Sequence, residues 1–469
     1  MKKIPDENGF DFDVIVCGGG PSGVASAIAA ARRGMRTLLV ERYGFCGGMA
    51  TAGLVNPWSG HEYPGAHSVK KGSIIGGIFK EVSTLLAEGG GFGSRLTTYA
   101  FDDEYLKGVY DRMLAEAGVI VRFHSYLSGA RVERGYIKSV HVLSKNGTTA
   151  FSARTFIDCS GDGDLAALAG CKFDIGRPED NLTQAMTTSF RMANVDKEAM
   201  YRCETHREAR ALVEPYFQKA LASGELHYPY RNFVHFYDYP RAGVLHFNMT
   251  RVSEASGLSP EDLSRAEMEG RRQAFLLAGW LIKNVPCFSH AHLEKVACQV
   301  GVRETRHIHG LYTITQQDIV DGRKFEDGVA RSTYFIDIHN PKGAQDVHQA
   351  VGGRGAVRGG FAPPPGDWYE VPFRCLVTRD CSNLVVPCRA LSATHEASAA
   401  VRVMATMHAL GEAAGIASSE AVRTGGDVVG IPGKWVRAQM PWMETAPEYG
   451  APWNSASLMM GAAEGTATR

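Results

Sequence analysis

Apolar and polar positions along this chain follow two periods, and the switches between them mark out the elements. Val14-Ile15-Val16 is a short continuous apolar run, the pattern of a buried parallel strand. From Pro21 onward Val24, Ala25, Ile28 and Ala29 recur at helical spacing, with the proline suited to a first turn. Thr37-Leu-Leu-Val40 predicts a second strand. Residues 71–94 read as a helix carrying Ile78, Val82, Leu85 and Leu86 and stopping at Gly89-Gly-Gly, and a further helix opens at Phe101-Asp-Asp-Glu. Gly118-Val-Ile-Val-Arg-Phe follows as a third strand. Residues 127–158 are short β-runs broken by Gly135 and Asn146-Gly147, which predicts an antiparallel meander.

From about 176 the texture changes. Helical, charged segments (196–223) lead to a hairpin that turns near Tyr239-Pro240. In its second strand His246, Asn248 and Thr250 share one face, which suits either a substrate pocket or an ordinary solvent face. Ser259-Pro260-Glu261-Asp262 starts a helix that runs to Asn284-Val-Pro286. Gly352 to Gly360 is glycine-rich, but Phe361-Ala-Pro-Pro-Pro after it cannot begin a helix, so it reads as a mobile loop and not a second nucleotide site. The last periodic block is a strand ending in a polar loop at 387–396, then a helix from about 401 rich in small residues and able to pack closely on the first helix. Beyond about 440 there is no periodicity, and the tail is either unstructured or an oligomer contact.

Between the first strand and helix lies Gly18-x-Gly20-x-x-Gly23. The first glycine permits a tight turn, the second lets backbone approach a pyrophosphate, and the third lets helix and strand pack closely, with the phosphates at a helix N-terminus. The second strand ends in Glu41, 18 residues beyond Gly23 and near the ~20 expected of an acid holding ribose hydroxyls. Strand, helix, strand and acid in this order predict a dinucleotide site. A second glycine turn, Gly47-Gly48-Met49, lets a large flat ligand lie on backbone and favours FAD over a nicotinamide cofactor. Thr155 to Asp164 is another strand emptying into a glycine turn; Asp162 and Asp164 there serve either as helix caps or as ligand contacts.

Composition narrows the class. The 469 residues suffice for two or three packed units, with 44% apolar residues. Lys+Arg and Asp+Glu are 50 each, so no overall field points to nucleic acid or an anionic membrane. No run is long and apolar enough to span a bilayer and the first residues lack a signal-peptide core, so a cytoplasmic location is expected. The 10 cysteines are scattered, with no C-x-x-C and no metal constellation, and are expected as free thiols. Cys46 beside Gly47-Gly48 is placed for redox work or for packing.

Gly18 to Gly23 with Glu41, Gly47-Gly48-Met-Ala-Thr51, Asp158-Cys-Ser160-Gly161-Asp162-Gly163, Gly301-Val-Arg303-Glu304-Thr-Arg306, Asp337-Ile-His339, and the block Asn383 to Gly415 together resemble the bacterial FAD-dependent oxidoreductase family. That family is related to the flavoprotein component of heterodisulfide reductase and to flavin-dependent tRNA-modifying enzymes. The resemblance covers roughly residues 10 to 425 and departs at Pro387-Cys388, where such proteins usually show Ala-Gly; the cysteine clusters of the heterodisulfide reductase relatives are missing. It implies an α/β fold: a discontinuous, Rossmann-like FAD-binding domain of the glutathione reductase type (10–175 and 366–425), an inserted α+β substrate domain (176–365) and a C-terminal extension (426–469). It also implies that Gly18, Gly20, Pro21, Ser22, Gly23 and Glu41 hold the ADP half. Arg42, Gly47, Gly48 and Met49 would then line the pyrophosphate and ribityl region, and Ser160 and Gly161 would lie near the adenosine. Arg389 and the segment Arg402 to Met404 would approach the flavin ring.

On this reading the protein oxidises a small polar organic molecule by two electrons, with hydride passing to flavin N5. His395, in the loop entering the last long helix, is the first candidate for the base and His339 the second, with Glu396 as orienting partner and Arg303 and Arg306 as substrate anchors. Each histidine also suits a plain hydrogen-bonded role at a domain junction, and the arginines suit an Arg/Glu brace. A flavin monooxygenase using NAD(P)H and oxygen, or a flavin-dependent RNA-modifying enzyme, is the alternative.

Overall fold

Val14 and Val16 pack with Val24 and Ile28 of the first helix, while Ile15 and Cys17 pack with Leu38, Val140 and Phe156 on the other side. That division is the period-2 alternation of a strand buried on both faces. The computed structural model describes residues 9–62, 73–342 and 361–445. The glycine-rich stretch 352–360 and most of the C-terminal tail lie outside the described residues.

Six strands carry the central sheet: β1 (Phe12–Cys17), β2 (Thr37–Val40), β3 (Ile120–Arg122), β4 (Tyr126–Glu133), β5 (Tyr136–Ser144) and β6 (Gly147–Asp158), in the order β3-β2-β1-β6-β5-β4. β1 is parallel to β2 (Cys17 beside Val40) and to the second half of β6 (Cys17 beside Asp158). The first half of β6 is antiparallel to β5, so this one long strand joins the expected meander to the parallel sheet. A seventh strand, Leu384–Val385, comes from the far end of the chain and lies parallel to β6.

Helix α1 (Pro21–Arg32) returns from the glycine turn after β1; α2 (Gly77–Glu88) and α3 (Asp103–Glu116) pack beside it, α2 starting later than the spacing suggested. A second sheet of His292–Val296, Phe190–Ala193, Leu245–Phe247 and Phe236–Asp238 is covered by the long helix α4 (Pro260–Asn284), with its own core of Phe190, Phe247, Leu277 and Leu281. The polar face expected at 246, 248 and 250 divides: His246 and Thr250 are buried, Thr250 bonded to Thr188, and only Asn248 reaches a cavity.

The last long helix, α5 (Met404–Thr424), lies along α1. A Cβ on Gly411 would sit 2.2 Å from the Ser22 carbonyl oxygen, and one on Gly415 2.4 Å from that of Ser26. Residue numbers rise together along both helices, so the two run parallel with their N-termini at one end. Met404 starts seven residues before Gly411 whereas Pro21 starts one before Ser22, so α5 reaches roughly 9 Å further at that end. No helix among the described residues is long and apolar enough to cross a membrane.

Candidate functional site

Both of these N-termini open onto one crevice, at the carboxyl ends of the parallel strands, where an open α/β sheet presents its ligand site. The three glycines of the first turn do different work there. Gly18 has φ +107 and its Cβ would lie 2.2 Å from the Cys159 carbonyl oxygen; a Cβ on Gly23 would lie 1.8 Å from the Gly18 carbonyl oxygen. Only Gly20 meets nothing within 4 Å, so its backbone faces open space, as close approach to a phosphate requires. Gly47 sits behind this loop, its N–H donating to Gly19 O at 2.7 Å, while Gly48 and Met49 reach the crevice.

Glu41 is buried at the crevice wall. Its Oε2 accepts from Gly19 N at 2.6 Å and its Oε1 from Tyr43 N at 2.9 Å. Burial nonetheless raises its pKa, the two backbone N–H groups offsetting part of the effect. Arg42 lies over the Tyr43 ring and donates to Gln299 Oε1. Ser160 and Gly161 line the opposite wall. Their turn is held by Asp158, which accepts from Ser160 N at 3.0 Å, Ser160 Oγ at 2.7 Å and Ala166 N at 2.9 Å; burial pushes its carboxyl up to about 6. Asp164 opens a short helix, and Asp162 pairs with Arg389 at 2.5 Å. Arg389 and Arg402, grouped at the flavin ring by the resemblance, have different neighbours. Arg389 lies against Gly161, and Arg402 against Gln184 and Asp337.

The far end of the same crevice is built from side chains of distant segments. Arg303, Asn248, Tyr334, Asp337, His339 and Arg402 line it. Ile336 and Ile338 are buried in the core while Asp337 and His339 between and after them face the cavity. Arg251 Nη2 donates to His339 Nδ1 at 3.3 Å, which makes Nδ1 the acceptor and leaves Nε2 as the N–H, 3.4 Å from Asp337 Oδ2. Tyr334 donates to that same carboxylate oxygen at 3.0 Å.

His395 does not line the crevice. Its Nδ1 is 2.7 Å from Glu304 Oε1, which His307 Nε2 also reaches at 2.8 Å, and Glu304 Oε2 accepts from Gln184 N at 2.9 Å. Burial opposes ionisation of Glu304, but the two imidazoles outweigh it and hold the carboxyl down at about 2. For His395 burial works the other way and the Glu304 bond prevails, raising its pKa. Glu396, in the next position, is also away from the crevice. Arg306 donates to the Asp162 carbonyl at 2.8 Å and to Asp164 Oδ1 at 2.9 Å, so it braces the 160–164 turn and not the cavity. Cys46 is buried with its pKa raised well above the ordinary value by burial, and all ten cysteines are free.

The crevice therefore joins a backbone cradle to a polar chamber. The open space at Gly20, the buried Glu41 carboxylate and the partnerless Nε of Arg389 fit an adenine dinucleotide with an extended second half. A model of the FAD dependent oxidoreductase family matches residues 13–440. The chain belongs to that family. As a family member it is an enzyme, an FAD-dependent oxidoreductase whose cofactor is FAD, and its fold is the Rossmann-like, glutathione reductase-type FAD-binding fold in two separated stretches with an α+β part inserted.

Glutathione reductase of Yarrowia lipolytica is 30% identical over 168 residues, a match covering 34% of this chain and 33% of that one, so the chain spans about a third of that curated relative. Among solved structures, a geranylgeranyl bacteriochlorophyll reductase-like protein from Thermoplasma acidophilum aligns at 12% identity over 97% of this chain and 96% of its own, with TM-score 0.42. A flavin-dependent brominase aligns at 12% identity over 92% and 84%, with TM-score 0.44. Asp337 is the residue that sequence reasoning passed over as a site residue. Its signal was present, two positions before His339 in a stretch whose alternate residues are apolar.

Proposed function

We propose that this enzyme oxidises a small polar organic molecule by two electrons, removing a hydride from carbon and a proton from the adjoining oxygen or nitrogen. One observation carries the reading: a carboxylate that accepts from a phenol, Asp337 with Tyr334, and has the His339 imidazole 3.4 Å away lines the same crevice as the nucleotide cradle. Gly18, Gly20, Pro21, Ser22 and Glu41 would hold the ADP half of FAD, with Gly48, Met49 and the N-terminus of α5 against the remainder. When bound, FAD supplies the two-electron acceptor, taking hydride at N5.

The chain's own residues supply the proton transfer. Arg251 occupies His339 Nδ1, so the imidazole carries its proton on Nε2, 3.4 Å from Asp337 Oδ2, and cannot itself accept there. Asp337 is then the carboxylate that takes the substrate's proton, oriented by His339 and Tyr334, while His395 acts behind the cavity by fixing Glu304. The α5 N-terminus brings positive charge to the end where negative charge develops. On this reading the stretch 176–365 contributes the substrate side.

Anaerobic mixing of the purified holoprotein with sugars, amines and hydroxy acids tests it. Bleaching of the flavin absorption by an organic substrate alone is expected. Reduction by NADPH alone, followed by oxygen-dependent hydroxylation, would identify a monooxygenase and overturn the proposal.

A further inference from the structure

Some guanidinium groups withdrawn from solvent in this chain meet a carboxylate closely: Arg191 lies 2.6 Å from Asp103 and Arg389 2.5 Å from Asp162. Two arginines in the polar chamber do not. Arg303 donates to the Ala185 carbonyl oxygen, and Arg402 to Gln184 Oε1 at 3.5 Å and the Asp337 carbonyl oxygen at 3.3 Å. All three acceptors are neutral, and Arg402 Nε is buried with no hydrogen-bond partner. Both side chains line the cavity. Burial and then the like charges of Arg402, Arg231 and Arg251 pull the Arg303 pKa well down, with Asp337 the acid that opposes them. An unpaired guanidinium held beside others of its kind is costly in a desolvated pocket unless an anion arrives with the ligand. The same chamber holds the buried Asn248 Oδ1, an acceptor with no partner, which suits an O–H or N–H donor.

We infer that Arg303 and Arg402 bind the carboxylate of an organic acid, so that the substrate of this flavoenzyme is a hydroxy or amino acid and not a neutral alcohol or amine. The inference rests on the oxidation proposed above and narrows it. A carboxylate matches the planar fork of a guanidinium in two parallel bonds and brings negative charge to a chamber where arginines outnumber Asp337. It fixes the rest of the molecule with its hydroxyl or amino group toward Asp337. In the reaction the Cα hydrogen leaves with its bonding electron pair as hydride to FAD, the O–H or N–H proton passes to Asp337, and a C=O or C=N bond forms. FAD is reduced by two electrons and the acid becomes a keto or imino acid.

Titration of the oxidised holoprotein with redox-inert acids and their neutral isosteres, acetate against acetamide and benzoate against benzamide, tests the anion subsite through the shift of the flavin absorption. The acids are expected to perturb the spectrum and the amides not. Arg303→Met is expected to raise the acids' Kd roughly 30- to 100-fold with the FAD content unchanged, and Arg303→Lys to recover part of it. Equal binding of acids and amides by the native protein, a measurement that needs no variant, would overturn the inference. So would an unchanged Kd in Arg303→Met and Arg402→Met together with a lowered flavin midpoint potential, which would assign both arginines to the cofactor. The two readings fail separately. Acids that bind while no hydroxy or amino acid bleaches the flavin would remove the oxidation and leave the subsite, whereas bleaching by neutral alcohols without acid binding would remove the subsite and leave the oxidation.

Discussion

The two ends of the crevice are made in opposite ways. The nucleotide end is mostly backbone, contributed chiefly by the stretch from Gly18 to Met49 with the Ser160-Gly161 turn opposite, and its geometry is set by glycine φ angles and by the amides that Glu41 ties together. The chamber end is mostly side chain, contributed by Asn248, Arg303, Asp337, His339 and Arg402 from segments far apart in the chain. The first recognises a shape common to many nucleotides, and the second can be rebuilt residue by residue. The cofactor should therefore depend on local turns, and the chemistry on how distant segments are packed.

The sharpest way to break that division is Asp337→Asn. Flavin reduction by the substrate should slow roughly 10²- to 10⁴-fold in anaerobic single turnovers, the usual range for a lost general base, while FAD stays bound. Loss of FAD instead would mean that the two ends are not separable. Gly411→Val should come next. Its side chain would collide with the Ser22 carbonyl, 2.2 Å from the first added carbon, forcing α5 off α1 at a cost of about 3 kcal/mol in denaturant unfolding and releasing FAD.

His395→Ala separates a support from the chamber it supports. Flavin reduction should change less than about threefold while stability falls by about 2 kcal/mol, because Glu304 keeps only His307 of its two imidazoles. The pH dependence of that loss follows from the two shifts. The raised pKa of His395 makes its contribution full below the ordinary 6.5 and lets it fade as pH rises through the folded value. The depressed Glu304 contributes above its ordinary 4.5 and is lost as pH falls toward about 2. The stability difference between native protein and variant, measured by unfolding at several pH values, should therefore peak between about 4.5 and 6.5. A flat difference would show that the pair is not ionised. Smallest is Gly20→Ala. The added carbon meets no protein atom within 4 Å, so stability should hold, but it occupies the space a pyrophosphate needs and should weaken FAD roughly tenfold by equilibrium dialysis.

The parts of the molecule that could be read ahead are those whose cause is local. Val14 to Gly23 announced a strand, a tight turn and a helix, and the small residues in the 401–415 stretch announced a close helix pair before either partner was placed. The histidines show where reading stopped. His339 and His395 looked alike in sequence, each near a carboxylate by number. In space one faces Asp337 inside the crevice and the other faces Glu304 behind it. Arg303 and Arg306, three apart, likewise look like one clamp but turn to different partners, the first to the chamber and the second to Asp164.

What the amino-acid order settled by itself was the glycine turn, the helix that follows it and the membership of a flavin-using family, since turns and periodic helices depend on neighbours a few residues away. Which acid lines the chamber, and which guanidinium groups there meet only neutral acceptors, was decided only when β6, the 334–339 segment and α5 packed together. Charge pairing acts through space over a few ångströms, and the chain brings those few ångströms together from hundreds of residues apart.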